Sequence, residues 1–287
     1  MLQDLTFGKL ENEFHNPQPV SGDVVVCFRE GDILLQRGAD DALSLPRFSQ
    51  VDAWARDNSW QPWQTQRYRF VFRMQEVNYF LWMGQAGAAA DGGFFYEPVR
   101  KLRQLRSKDV CFAVMTAWHL YTWYKNNRFC GRCGSATYHD EKERLLRCES
   151  CGNMIFPKIS PAVIIAVTDG DRILLSKYAG RSYTRYALLA GYTEIGETLE
   201  QTVSREVMEE VGLRVKNIRY YTSQPWGVDS NVLMGFYCDL DGDDTIHLDE
   251  TELSMAAFYP RDALPAHDDG ISLTREMIRV FEEGREP

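Results

Sequence analysis

The sequence predicts a mixed α/β (α+β) protein in three parts, and three observations carry that expectation. A β-rich stretch precedes residue 84, two Cys-x-x-Cys pairs follow, and beyond Pro161 strands alternate with amphipathic helices, one of them strongly acidic. At 287 residues the chain has room for more than one domain. The boundaries fall at 1–126, 127–157 and 158–287.

In the first part, Val24–Arg29 and Asp32–Gln36 are β-rich runs around Glu30-Gly31, a hairpin signal. Arg67–Met74 and Val77–Trp82 predict a second pair of strands. Between the pairs, Trp54, Trp60 and Trp63 are read as packing anchors rather than a binding surface. Gly84–Gly93, rich in Ala and Gly, reads as a loop or a loosely capped turn. Glu97–Arg106 predicts a helix with Pro98 at its tolerant start, and Val110–Asn126 predicts another. In the latter, Val110, Val114, Ala117, Tyr121 and Tyr124 share one face, while Phe112, Met115 and Trp123 fall on roughly the opposite side. A helix apolar nearly all round is buried on both sides or lies in an interface.

In the last part, Val163–Val167 and Arg172–Ser176 bracket Thr168-Asp169-Gly170-Asp171, a further hairpin. VVVCFREGDILLQR near the start and VIIAVTDGDRILLSK here resemble each other, which fits either an internal duplication or two unrelated hairpins. Only the second is followed by a carboxylate-rich helix. Lys216–Thr222 and Val232–Asp239 read as strands, Asp241-Gly242-Asp243-Asp244 as a turn, and Leu253–Tyr259 as apolar with a strand at its end. Ser272–Glu283 closes as an amphipathic helix with Leu273, Met277, Ile278 and Phe281 on one face.

A formal net charge of -9 argues against a general polyanion-binding surface, yet leaves room for a small phosphorylated substrate whose charge is met by metal ions. No apolar run approaches the roughly 18–20 residues of a membrane span, and the first residues lack the pattern of a secretory signal. Of seven cysteines, Cys27, Cys111 and Cys238 sit singly in apolar stretches and read as small buried hydrophobes. The balance of cysteines suits a reducing, cytoplasmic setting.

The other four form Cys130-Gly131-Arg132-Cys133 and Cys148-Glu149-Ser150-Cys151, each followed directly by glycine. Two such knuckles present four thiolates to one tetrahedral Zn²⁺, which leaves no open coordination position and so predicts a structural ion, one per chain. Between the knuckles, acidic Asp140, Glu141 and Glu143 mix with Lys142, Arg144 and Arg147, so no basic stripe marks a nucleic-acid surface.

Gly191–Leu213 runs from a glycine turn into a helix bearing Glu206, Glu209 and Glu210. Positions i, i+3 and i+4 share a helix face, so the three carboxylates converge. Like charges at i,i+4 weaken a helix, and a hard divalent cation such as Mg²⁺ reverses that repulsion.

Gly191, Glu197, then Arg205-Glu206-Val207-Met208-Glu209-Glu210-Val211-Gly212-Leu213 is similar at every defined position to the signature of the Nudix hydrolases. Ser223-Gln224-Pro225-Trp226, ten residues beyond, resembles the SQPW motif of the NADH pyrophosphatase (NAD-capped RNA hydrolase) subfamily. That subfamily also places a zinc ribbon and a degenerate, β-rich Nudix-like domain before its catalytic domain. The resemblance therefore implies a Nudix α/β/α sandwich at 158–287, preceded by a Cys₄ ribbon and a Nudix-like N-terminal domain. It also implies several Mg²⁺ or Mn²⁺ ions held by Glu206, Glu209 and Glu210, with the Ala190 carbonyl and Glu252 joining them. By the same resemblance, Arg205 and Glu197 orient the helix and its ligands, and Gly191 allows a tight turn. Phe156 and Tyr192 are implied to stack a nicotinamide ring from different subunits, which requires a homodimer. Glu143, Ile164, Gln224, Trp226, Asn231, Leu233 and Thr274 are further pocket candidates, and Arg100 is a candidate phosphate contact.

The implied reaction is hydrolysis of the pyrophosphate of NADH or NAD⁺ to nicotinamide mononucleotide and AMP, and with it removal of NAD caps from RNA 5′ ends. One departure bears on the substrate: the subfamily continues SQPW with Pro-Phe-Pro, and this chain reads Gly227-Val228-Asp229-Ser230-Asn231. The rival readings are a Nudix hydrolase for ADP-ribose or a dinucleoside polyphosphate, and a non-catalytic zinc-ribbon binding protein.

Overall fold

The computed structural model describes residues 1–6, 9–38, 42–51, 68–84, 93–104, 107–180, 185–265 and 270–287, with the side chains of 103 and 104 left aside. Trp54, Trp60 and Trp63 lie outside the described residues. The chain folds as two compact units. The N-terminal unit holds Asp4–Lys158 and Gly227–Ser230; the C-terminal unit holds Met1–Gln3, Ile159–Trp226 and Asn231–Pro287.

The N-terminal unit begins with β1 (Leu10–Glu11), β2 (Val24–Val26), β3 (Phe28–Arg29), β4 (Asp32–Arg37), β5 (Leu43–Ser44) and the single turn α1 (Phe48–Val51). It continues with β6 (Tyr68–Met74), β7 (Val77–Trp82), β8 (Phe94–Pro98), a 3₁₀ helix at Val99–Gln104 and α2 (Lys108–Asn126). Two expectations change here. Val24–Arg29 is not one strand: β2 pairs in parallel with β7, whereas β3 pairs with β4, so the run divides at Cys27 between two sheets. The described part of the expected helix, 97–104, is not α-helical either: Phe94–Pro98 pairs residue by residue with β4, and a 3₁₀ helix follows at Val99–Gln104. Helix propensity yields to strand pairing when an edge of β4 is available. Helix α2 is capped by the Ser107 side chain, and buries an unbroken run from Cys111 to Met115. The ribbon strands β9 (Tyr138–His139), β10 (Leu146–Arg147) and β11 (Met154–Ile155) form a small antiparallel sheet.

The C-terminal unit comprises β12 (Ser160–Asp169), β13 (Arg172–Tyr178), β14 (Leu189–Tyr192), α3 (Leu199–Val211), β15 (Val215–Trp226), β16 (Asn231–Leu240), β17 (Leu253–Pro260) and α4 (Leu273–Glu282). Its sheet runs β15-β16-β12-β13-β17, with β14 also paired to β12; β12 and β16 are parallel and the other pairs antiparallel. Alternation along the strands assigns the two faces. Val163, Ile165 and Val167 pack with Val203, Val207 and Val211 of α3, while Ile164 and Ala166 pack with Leu273, Met277, Ile278 and Phe281 of α4. This is the expected α/β/α sandwich, and burying each of those three α3 valines stabilises by about 1.5–3 kcal/mol.

The N-terminal unit repeats this strand order. Its hairpin β6-β7 joins β2 in parallel, β3 pairs with β4, and β4 pairs with β8, just as β15-β16 joins β12, then β13, then β17. The turns match too: Arg29 pairs with Asp32 and Asp169 with Arg172, and Glu30 (φ 58°) and Gly170 (φ 55°) are both left-handed. The two similar hairpins thus stand at matching places in the two strand orders.

Candidate active site

Local sequence fixes the acidic helix at both ends. Thr198 caps α3 by accepting from the Gln201 amide, and the Gln201 side chain returns a bond to the Thr198 N–H. At the other end Gly212 takes a left-handed φ of 70° and donates to Met208 O at 3.0 Å. Between these caps, Val203, Val207 and Val211 anchor the helix to the sheet, which turns Glu206 and Glu210 to a buried position and leaves Glu209 exposed.

Gly191 does not make the tight turn expected of it. It lies inside β14, opposite Val163, and a Cβ there would fall 2.1 and 2.2 Å from the Glu206 carboxylate oxygens. Its role is to let a carboxylate approach the strand backbone.

Arg205 joins the elements. Its Nε and Nη2 donate to both Glu197 oxygens (2.6 and 3.0 Å), Nη1 donates to Glu206 Oε1 (2.8 Å) and Glu209 Oε2 (2.9 Å), and Nη2 also donates to Tyr192 O (2.9 Å). The guanidinium holds Glu197 down at about 2. Burial pushes Glu206 above the ordinary carboxylate range, against the pull of Arg205, and the charges of Glu209 and Glu252 push the same way. Glu252 stands just before β17, where its carbonyl accepts from Ala179 N–H. A residue not singled out from sequence, Thr202, donates to Glu197 Oε2 at 3.0 Å and is wholly buried. Its spacing of five from Glu197 carries no helical periodicity that would have marked it.

The pocket candidates of this unit share one face. Tyr192, Ile164 and Leu233 stand at alternating register positions on the α4 side of β14, β12 and β16, and Asn231 and Gln224 follow the same alternation. Gly191 and Glu206 lie on the α3 side, so the carboxylates and the pocket candidates occupy opposite faces that meet along β14. Trp226 is buried at the end of β15, and Thr274 is half-buried in the first turn of α4. Gln224 is fully buried: its Nε2 donates to Ile271 O and Gln3 Oε1 (2.9 Å each), and its Oε1 accepts from Leu273 N–H (2.8 Å). Ala190 pairs with Ile164. In the N-terminal unit, Arg100 is exposed in the 3₁₀ segment, Glu143 is exposed in the ribbon and donates its N–H to Asp140 (3.1 Å), and Phe156 is exposed just after β11.

The four ribbon cysteines converge. Their sulfurs all lie within 4.8 Å of one another, with Cys130 to Cys151 at 3.7 Å and Cys133 to Cys148 at 3.4 Å. Tetrahedral Zn²⁺ with bonds of about 2.3 Å separates its sulfurs by about 3.8 Å, so the donor set fits zinc. The two knuckles are built alike: Gly134 N–H donates to Cys130 O (2.8 Å), Gly152 N–H to Cys148 O (2.9 Å), and both glycines are left-handed. The Arg132 amide helps draw the Cys130 thiol down to about 6, favouring the thiolate a metal needs.

Comparison with known proteins gives matches to both halves of this arrangement. A NUDIX domain model matches residues 158–281, and an NADH pyrophosphatase zinc ribbon domain model matches residues 125–156. The chain is 40% identical over 159 residues to a protein of Enterobacter sp. named NAD-capped RNA hydrolase NudC; the match covers 55% of this chain and 61% of that protein. A protein of the same name from Erwinia tasmaniensis is 37% identical over 179 residues, covering 62% of this chain and 68% of that protein. Among solved structures, a NUDIX hydrolase from Nitrosomonas europaea is 26% identical with a TM-score of 0.48, covering 54% of this chain and 91% of that one.

Proposed function

We propose, starting from a chain that belongs to the Nudix family and carries the NADH pyrophosphatase zinc ribbon, that it hydrolyses the pyrophosphate of NADH or NAD⁺. The products are nicotinamide mononucleotide and AMP, and the same cleavage removes NAD caps from RNA 5′ ends. One observation carries the reading: buried Glu206 is pressed on the backbone of β14 at Gly191, on the helix that also bears Glu209 and Glu210, and Arg205 bonds both Glu206 and Glu209.

Glu206, Glu209, Glu210 and Glu252, with the Ala190 carbonyl, would hold the Mg²⁺ or Mn²⁺ ions. When bound, such ions neutralise the pyrophosphate and supply an activated water. The chain's own residues do the rest. Arg205 keeps Glu197 ionised and ties α3 to the end of β14 through Tyr192 O. Exposed Tyr192 offers a flat face to a planar ring, and exposed Phe156 offers one to the ring bound by the partner subunit. We place the N-terminal Nudix-like domain at 1–126, a Zn²⁺ ribbon at 127–157 and the catalytic domain at 158–287, in a cytoplasmic homodimer. Among the described residues no helix is long and apolar enough to cross a membrane.

The loop after Trp226 favours one second reading, an ADP-ribose or dinucleoside polyphosphate hydrolase, because Gly227-Val228-Asp229 replaces the subfamily's Pro-Phe-Pro. The test offers purified protein with Mg²⁺ or Mn²⁺ four substrates: NADH, NAD⁺, ADP-ribose and NAD-capped RNA. Release of nicotinamide mononucleotide supports the proposal. ADP-ribose far ahead of NADH supports the second reading, and no turnover of any substrate removes both.

A further inference from the structure

Tyr192 is 53% exposed, an aromatic face left in water at the edge of the carboxylate site. Two of its groups are nevertheless held. Its carbonyl accepts from Arg205 Nη2 at 2.9 Å, which fixes the backbone beside Gly191 and Glu206. Its hydroxyl meets the Asn231 amide, with Oδ1 at 3.3 Å and Nδ2 at 3.2 Å, one of which pairs with it in any one orientation.

Asn231 is itself well placed to serve as a fixed point. It is only 8% exposed and opens β16, paired in parallel to Ser160 and antiparallel to Trp226. The residue before it, Ser230, takes a left-handed φ of 59°, a conformation a non-glycine residue adopts only where its surroundings impose it. The amide therefore reaches across β12 from one neighbouring strand to the hydroxyl on the other. An exposed tyrosine gains nothing from such an arrangement by burial, since its ring remains in water; what it gains is a fixed ring plane.

We propose that Asn231 is a positioning residue, which acts through the Tyr192 hydroxyl to hold the ring in the plane on which a nicotinamide ring stacks. This rests on the dinucleotide reading of the site given above. A ring held before the substrate arrives does not have to be ordered on binding, so the arrangement strengthens binding of the nicotinamide half without touching the pyrophosphate chemistry. The effect is confined to substrates that carry that half.

The test compares kcat and KM for NADH and for ADP-ribose, which lacks the nicotinamide, in the full chain and in Asn231→Ala, Tyr192→Phe and the double variant, with melting curves for all four. Losing one hydrogen bond to the ring predicts a rise of about fivefold in KM for NADH in each single variant. Selectivity for NADH over ADP-ribose falls by the same factor, and the double variant is no worse than either single one, because all three lose the same bond. Equal losses on both substrates, unchanged selectivity, or effects that add in the double variant overturn the proposal. A full chain that turns over ADP-ribose but not NADH overturns the proposed function and this inference with it, whereas NADH turnover with unchanged selectivity sinks the inference alone.

Discussion

A Cβ on Gly191 would fall 1.9 Å from Cδ of Glu206, so strand β14 and helix α3 fit together only because one residue has no side chain. Gly191→Ala therefore forces the Glu206 carboxylate out of place or separates helix and strand. Overpacking of this kind costs about 1–3 kcal/mol. Turnover should fall at least about a hundredfold, since an ångström of misplacement at a reacting centre already has that effect. Zinc content, set in the other unit, should be unchanged. An active Gly191→Ala enzyme would show that Glu206 works from another position.

Glu209 is exposed and bonded to Arg205, so Glu209→Gln should leave stability within about 0.5 kcal/mol. Removing one of the three carboxylates proposed to hold the metal should nevertheless abolish metal-dependent turnover. Retained activity in a kinetic assay with Mg²⁺ or Mn²⁺ would mean that the helix has been misread.

For Glu206 the prediction concerns pH. Burial raises its folded-state pKa above the ordinary 4.5, so the folded protein binds more protons there than the unfolded chain does. The stabilisation from the neutral form is complete below about 4.5 and is lost as pH rises through the raised value. In chelator at neutral pH, Glu206→Gln should therefore melt no lower than the parent, and any advantage should shrink as the pH is lowered. A parent chain more stable than the variant at neutral pH and without metal would contradict this. In the same window, protons should compete with the divalent ion, so the Mg²⁺ concentration for half-maximal rate rises as pH falls.

Arg205→Lys keeps the charge and loses the fork that spans Glu197, Glu206, Glu209 and Tyr192 O. A loss of about 10–100-fold in kcat/KM is expected, the size usual for residues that orient metal ligands. Full activity in the lysine variant would reduce Arg205 to a surface ion pair.

Cys148→Ser should lose zinc and lower the melting temperature of the N-terminal unit, because Cys148 is buried and its thiol closes one side of the four-sulfur cluster. Metal analysis together with calorimetry checks this; a zinc-free variant that melts like the parent would remove the structural role.

The acidic helix was legible because its caps are local: Thr198, Gln201 and Gly212 set its ends from within the segment, and the i, i+4, i+8 valines set its face. The ribbon was legible for the same reason, since each knuckle is closed by its own glycine. What escaped depends on partners distant in sequence. Gly191 reads as a turn until Glu206 is seen against it. Glu97-Pro98 reads as the start of a helix until β4 supplies an edge for Phe94–Pro98. Thr202 gains its role only when Glu197 folds back over the helix start. Caps are encoded nearby, whereas close approaches are encoded at both ends of a contact.

The repeated strand order has a consequence for position 48. With Arg29 and Asp32 matched to Asp169 and Arg172, Val24 corresponds to Ile164. Val24 bridges Arg47 as Ile164 pairs with Ala190, so Phe48 stands where the C-terminal unit has Gly191. Phe48 is buried, with its ring 4.4 Å from Tyr68 and 5.4 Å from Phe80, centre to centre. The opening that admits a carboxylate in the C-terminal unit is filled by an aromatic ring at the matching place in the N-terminal one. Glutamates grafted into the N-terminal unit would therefore lack the opening that Glu206 uses at Gly191: the ring would have to come out first, and with it part of that unit's core.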